Sequence, residues 1–276
     1  KIAVSPPLLI QCYSPIIEPS GGTFADHALV SIKHSQTGST VYYTLDGSLP
    51  SLTSPVYDRP LLVERSGSIV SAIEVASICD SSPVTTSDEY LIKTAPPTFV
   101  PDGGAFQLDG TQHTVEIKSG RGASLVHYAA QGKGSAETSI SKYGIYRSPV
   151  VIQKTNSRIE AVAKEDGKET SDISVSGIFI IVAVQPSFII PVGISVGVAK
   201  VQISTISPGA TIFVFIDSSS SAIMSKTYHS TTELIINQTQ TKLKAFATAP
   251  GSVPSPIAVS DVILVQAISP SITPGG

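Results

Sequence analysis

Five histidines, two cysteines, 21 acidic residues and a large stock of serine are the side chains here that could do chemistry. His27, His34, His113, His127 and His229 form no His-x-His or His-Glu-x-x-His pattern of the kind metals favour. Cys12 and Cys79 stand too far from them in sequence to suggest a zinc set. Serine is abundant, but no Gly-x-Ser-x-Gly elbow holds one in a strained, exposed pose. Carboxylates are present in number, yet no pair is singled out as the acid and base of glycoside hydrolysis. The run Gly132-Lys133-Gly134-Ser135 is not a phosphate loop. His127 stands where the upstream glycine belongs, and no Ser or Thr follows the lysine directly. It reads as a lysine-bearing hairpin turn. The expectation is a protein with no catalytic residues, no cofactor and no metal.

The elements that carry these residues repeat. A Pro-x-x-x-Pro step followed by glycine occurs at Pro15–Gly22, Pro97–Gly104 and, one residue longer, Pro186–Gly193, then again at Pro270–Gly276. The second prolines lie at 19, 101, 191 and 274, giving periods of 82, 90 and 83. A fixed period of this length marks an array of small domains. The expected division is a lead-in strand at 1–14, repeats at 15–95, 96–184 and 185–267, and the start of a fourth repeat or an inter-subunit linker at 268–276. Arrays of alike domains usually span, bind or assemble.

Charged residues make up only 14% of the chain, against about 25% in most soluble proteins, with Ser and Thr taking their place on the surface. The net charge of −3 gives no basic field for nucleic acid. No apolar run reaches the roughly 18–20 residues of a membrane helix, so no membrane insertion is expected. The longest, Ile178 to Val184, is β-branched and reads as a buried strand. The chain starts at Lys1 with no initiator Met and no leader, as expected of a processed chain or a fragment.

Within the first repeat, strands are predicted at Ala28–Lys33, Thr40–Leu45, Leu61–Glu64, Ser68–Ile78 and Asp88–Lys93. The β-branched and aromatic residues of Thr40–Leu45 suit a half-buried pleated strand. Asp46-Gly47 makes a turn, and three prolines exclude Ser48–Pro60 from a sheet interior. Val41–Gly47 aligns with Val126–Gly132 and Ile212–Ser218. Ser68–Ile73 aligns with Ser157–Val162 and Thr241–Phe246, so that Ala72, Ala161 and Ala245 recur as a small core residue facing a bulky partner. Six or seven short strands per unit, turn signals every 8–12 residues and no helical period predict an all-β chain of three tandem immunoglobulin-like antiparallel β-sandwiches.

Pro19-Ser20-Gly21-Gly22-Thr23-Phe24, Val41-Tyr42-Tyr43-Thr44-Leu45-Asp46-Gly47-Ser48-Leu49-Pro50 and Ser54-Pro55-Val56-Tyr57 resemble the chitobiase/β-hexosaminidase C-terminal type of domain. That is an Ig- or fibronectin-III-like sandwich. Repeats 2 and 3 share the frame but lack the Asp-Gly-Ser-x-Pro turn. The resemblance implies an accessory or surface module of secreted proteins without catalytic residues, and a structural role for Asp46.

In an Ig-like sandwich, the chain enters at the end that carries the loop between the last two strands. Cys12 and Cys79 should therefore be neighbours, and a disulfide is expected, the other possibility being two buried thiols. A disulfide places the chain in an oxidising compartment. Asn237-Gln238-Thr239 is an N-glycosylation sequon in a strand-like stretch. Carbohydrate binding would call for exposed rings. There is no Trp, and Tyr42, Tyr43, Phe213 and Phe215 share a strand pattern that sends some of them inward.

Pro7–Gln11 resembles the last strand of a repeat, as in Val262–Gln266. A lone strand carries unpaired backbone groups and prefers to join a neighbouring sheet. Leu8, Leu9 and Ile10 at one end, with Pro270, Ile272 and Pro274 at the other, are the expected contacts of a head-to-tail homopolymer. The rival expectation is a cut from a longer array. Taken together, the sequence predicts an extracellular or cell-surface structural protein, a subunit or segment of a filament or stalk. The alternative is a carbohydrate-binding accessory module with glycans as partners.

Overall fold

The computed structural model describes residues 10–34, 37–120, 125–132, 144–217, 224–229 and 231–269. Among them are 26 strands and no helix, and so no helix long and apolar enough to cross a membrane. The strands fall into three runs, and each run has its own apolar core.

In the first unit, β1 (Ile16–Glu18), β3 (Ala28–Lys33) and β5 (Leu61–Val63) form one sheet, and β4 (Thr40–Thr44), β6 (Ser71–Val75) and β7 (Thr85–Thr86) form the other. β2 (Gly22–Ala25) pairs in parallel with β8 (Tyr90–Lys93). The alternation read in the sequence sets the inward faces: Ala28, Val30 and Ile32 point inward and Leu29 and Lys33 outward. Val30, Val41, Val70, Ala72, Tyr90 and Ile92 close the core.

The second unit repeats this plan. β9 (Thr98–Val100), β11 (Thr114–Lys118) and β14 (Val150–Val151) form one sheet. The other holds β10 (Gly104–Leu108), β12 (Leu125–Gly132), β13 (Gly144–Ile145), β15 (Ser157–Lys164), β16 (Ser174–Val175) and β17 (Phe179–Ala183). In the third, β18 (Ser187–Ile189), β20 (Ala199–Ser204) and β23 (Thr231–Ile236) face β21 (Thr211–Asp217), β22 (Met224–His229), β24 (Lys242–Thr248) and β25 (Ala258–Val259). There β19 (Ile194–Val196) runs parallel to β26 (Leu264–Gln266). Ala72, Ala161 and Ala245 are fully buried, one in each core.

The proline–glycine marker moves the chain from one sheet to the other. β1, β9 and β18 pair antiparallel with β3, β11 and β20, and β2, β10 and β19 pair in parallel with β8, β17 and β26. At the crossing Gly21 has φ +122°, and a Cβ there would lie 2.6 Å from Cβ of Asp88, so only glycine fits. The Tyr90 hydroxyl donates to the Pro19 carbonyl across the same corner.

Three expectations change. The strand predicted over Ser68–Ile78 narrows to Ser71–Val75, because Ala76–Cys79 makes a turn. Asn237 is not in a strand. β23 ends at Ile236, and Asn237 is exposed at the head of the bend that follows. The lead-in segment is not an unpaired strand where it is described: Ile10 and Cys12 are both hydrogen-bonded to Asp80.

Candidate functional site: the junctions between units

A turn of the same length follows β6, β15 and β24: Ala76–Cys79, Glu165–Lys168 and Ala249–Ser252. Lys168 N–H donates to Glu165 O at 3.3 Å, and Ser252 N–H to Ala249 O at 3.2 Å. Gly167 (φ +78°) and Gly251 (φ +77°) hold the third turn position, and Pro250 fixes the second, which suits a type II turn in the third unit.

The residue after each turn docks on the strand that leads into its unit. Glu169 N–H donates to Ile92 O at 2.7 Å and Thr94 N–H to Glu169 O at 2.8 Å. Val253 N–H donates to Ile181 O at 2.8 Å and Ala183 N–H to Val253 O at 3.0 Å. Asp80 N–H donates to Ile10 O at 2.8 Å and Cys12 N–H to Asp80 O at 2.9 Å. All three are parallel bridges, Gln11 with Asp80, Lys93 with Glu169 and Val182 with Val253. A further bond seats each turn between described units: Ser66 N–H to Gly167 O at 2.8 Å and Thr155 N–H to Gly251 O at 3.1 Å. Cys12, Thr94 and Ala183 thus occupy one structural position, each three residues before a marker proline, and each is buried.

Paired serines hold the turns in place. Ser82 and Ser87, Ser171 and Ser176, and Ser255 and Ser260 are buried, five residues apart in every unit. Their hydroxyl oxygens accept the N–H of Glu74 and Val70, of Ala163 and Ile159, and of Ala247 and Leu243, at 2.8–2.9 Å. Each hydroxyl then donates to the carbonyl of the residue that follows it. A side-chain oxygen stands in for a backbone carbonyl, so these buried N–H groups keep a partner. Sequence reasoning missed this pattern. Its signal is a Ser-x-x-x-x-Ser spacing that recurs three times, two residues after each docked residue.

Each junction has its own fastener. At the first, Cys12 and Cys79 are disulfide-bonded across a Cα–Cα distance of 5.3 Å. At the second, Thr94 and Lys168 take those positions. The Thr94 hydroxyl donates to Glu169 O at 2.9 Å and accepts Glu165 N–H at 3.1 Å. Lys168, its side chain 6% exposed, holds Asp26 Oδ1 of the first unit at 3.0 Å and Glu165 Oε2 at 3.2 Å. Burial pulls its ammonium pKa down, but hydrogen bonds and charge from Asp26 and Glu165 outweigh burial and leave it raised. At the third, Ala183 packs with Ala210 and Ala247. Ser207 accepts Val184 N–H at 2.7 Å and donates to Leu108 O at 2.8 Å. The Thr94–Pro97 and Val184–Pro186 linkers are therefore clamped at their starts by the following unit.

The other predicted residues are scattered. Leu8, Leu9, Pro270, Ile272, Pro274 and Lys133–Ser135 lie outside the described residues, while Ile10 is exposed beside the first junction. Tyr42 and Tyr43 point to opposite faces of β4, and Tyr43 packs on the core. Phe213 and Phe215 lie half-buried on the outer face of β21, where both stack on Phe246 at 4.9 and 6.1 Å. Asp46 accepts Ser48 N–H at 3.1 Å, and its hydrogen bonds from Ser48 lower its pKa. The side chains of His27, His34 and His113 make local contacts, with Asp26, Ser39 and Gln107. His127 sits in β12 opposite Ile145 and Val162.

No protein of curated function matches the chain. Extracellular domains 3–5 of Drosophila OTK align over 96% of this chain and 100% of theirs, at 13% identity and a TM-score of 0.26. Residues 19–86, from the cis Glu18–Pro19 bond to the end of β7, match the family model of the chitobiase/beta-hexosaminidase C-terminal domain.

Proposed function

We propose that this chain is an extracellular structural spacer, a subunit or segment of a surface stalk or filament, built from Ig-like units joined end to end and without enzymatic activity. One observation carries the reading: the turn docked on the lead-in segment of the first unit recurs at both internal junctions with the same backbone bonds, and each of the three has a different fastener. A hinge between independent domains needs no such bonds, since inter-domain motion is the ordinary outcome of small polar contacts. The docking bonds and clamped linkers instead favour a fixed angle between units. A disulfide at Cys12–Cys79 suits an oxidising environment.

Small-angle X-ray scattering of the whole chain tests this against the variant Glu169→Pro/Val253→Pro, which deletes the docking N–H of both internal junctions. The parent should give a single stiff rod, and the variant a broader, more compact distribution of distances. Equal profiles would show that the docked turns do not set the shape. In native material, electron microscopy should show regular fibres or stalks, and dispersed short particles would count against the filament.

A further inference from the structure

The first unit is open where the third is closed. In the third unit β22 pairs with β21 along Thr211–Ile216, and Val214 of β21 is fully buried. The matching place beside β4 is taken by the chain from Ser48 to Pro60, which pairs with β4 only around the Tyr42–Val56 bridge. Its prolines set that limit. Tyr43 N–H donates to Pro55 O at 3.0 Å, but a proline at 55 has no N–H to return, so the Tyr43 carbonyl is left without that donor. A cleft of about 820 Å³ remains between the ends of β4 and β5, a size that suits a small ligand. Tyr43, the counterpart of Val214, is half-buried against the core and lines the cleft with the exposed Leu45 and Leu62. Asp46, Glu64 and Arg65 surround it. The docked turn of the second unit backs Arg65: a Cβ on Gly167 would lie 3.2 Å from the Arg65 Cζ. Among the described residues, none bonds to the Glu64 carboxylate, the Arg65 guanidinium or the Tyr43 hydroxyl.

These groups select a ligand by its chemistry. Two carboxylates accept, a guanidinium donates and a phenol does both, beside an apolar wall that includes an aromatic ring. An anionic ligand meets Asp46 and Glu64, and a cationic one meets Arg65. An added peptide strand has no edge to join on β4, because Pro55 and Tyr57 already bond there. A sugar ring fits each requirement. Its neighbouring hydroxyls both donate and accept, at a spacing that a carboxylate or a guanidinium can bridge, and its C–H face lies against an aromatic ring or an aliphatic side chain. We propose that this cleft of the first unit binds a short stretch of a neutral glycan, with Tyr43 as the platform and Glu64 and Arg65 as the groups that hold its hydroxyls. The chain would then grip a glycan beside its first internal junction, where the second unit keeps Arg65 in place.

The spacer reading and this one fail separately, since scattering reports the shape of the chain and the following test reports what it holds. The whole chain is applied to an array of neutral oligomers of glucose, galactose, mannose and N-acetylglucosamine, set beside sialylated and sulfated glycans. The strongest neutral binder is then titrated by NMR. Binding should fall at least about tenfold in Glu64→Gln and in Arg65→Met, each of which removes charge-assisted hydrogen bonds while keeping the length of the side chain. Tyr42→Thr, on the opposite face of β4, should change it less than about twofold. Should either cleft variant lose the cooperative melt of the parent, Tyr43→Phe, which removes only the hydroxyl, takes its place and should weaken binding about threefold or more. Failure to bind any neutral oligomer, binding confined to the sialylated or sulfated glycans, or binding that survives the cleft substitutions overturns the proposal.

Discussion

Replacing Ala183 and Ser252 together by cysteine should move the fastener of the first junction to the third. The turns have equal length, and Val182–Val253 is a parallel bridge in the register of Gln11–Asp80. Residues 183 and 252 should therefore stand where 12 and 79 do, within reach of an S–S bond. The native pair closes a separation of 67 residues; the new pair would close 69. In the chain-entropy model that constraint contributes ~4 kcal/mol. Against it stands the packing of Ala183, which is fully buried against Ala210 and Ala247, where an added sulfur costs about 1–3 kcal/mol. The net stabilisation of the oxidised variant over the unsubstituted chain should be about 1–3 kcal/mol. Thiol titration in denaturant is a clean readout, because the chain has only two cysteines and both are already bonded. The variant should titrate no thiols after air oxidation, and peptide mapping should recover a 183–252 link beside 12–79. Two titrating thiols, or scrambled links, would refute the equivalence of the junctions.

Ser176→Ala leaves the buried Ile159 N–H without its acceptor and should cost about 1–3 kcal/mol in urea unfolding, whereas exposed Ser14→Ala should stay within about 0.5 kcal/mol. Lys168 has a raised pKa in the folded chain, so its stabilising effect is complete below the unfolded lysine value and is lost as pH rises through the higher folded value. Scattering should therefore show the junction between the first and second units loosening only above about pH 10, and Lys168→Met should be loose already at neutral pH with no alkaline step. Expressed through a eukaryotic secretory pathway, the chain should carry a glycan that Asn237→Gln removes, seen as a mass loss. An unchanged mass would show the sequon unused.

The strands of the first unit were legible because their chemistry is local. Alternation in Ala28–Lys33 and the β-branched, aromatic Thr40–Thr44 announce pleated strands whatever surrounds them. The parallel strands Gly22–Ala25, Gly104–Leu108 and Ile194–Val196 were hidden, since the prolines and glycines before them read as turn. The pairing that makes them strands lies some 70 residues away, on Tyr90–Lys93 and its counterparts. The same holds at the junctions. Cys12 and Cys79 stood out because cysteine is rare here, whereas Thr94, Lys168, Ala183 and Ser207 fasten the later junctions with common residues. The serine pairs were lost among the many surface serines, and only burial separates Ser176 from Ser14. Asn237 was misplaced because apolar Leu234–Ile236 suggests a strand that runs on, when it ends one residue earlier.

The parallel pairing of the second strand of each unit with its last has a mechanical consequence. A chain pulled at its two ends drags these partners in opposite directions along their common axis. The load falls on the ladder in shear, so its bonds must fail together, whereas a hairpin pulled from its open end unzips one bond at a time. The shearing strand is five residues long in the second unit, four in the first and three in the third. Under rising tension the third unit should yield first and the second last, and the array should extend in steps.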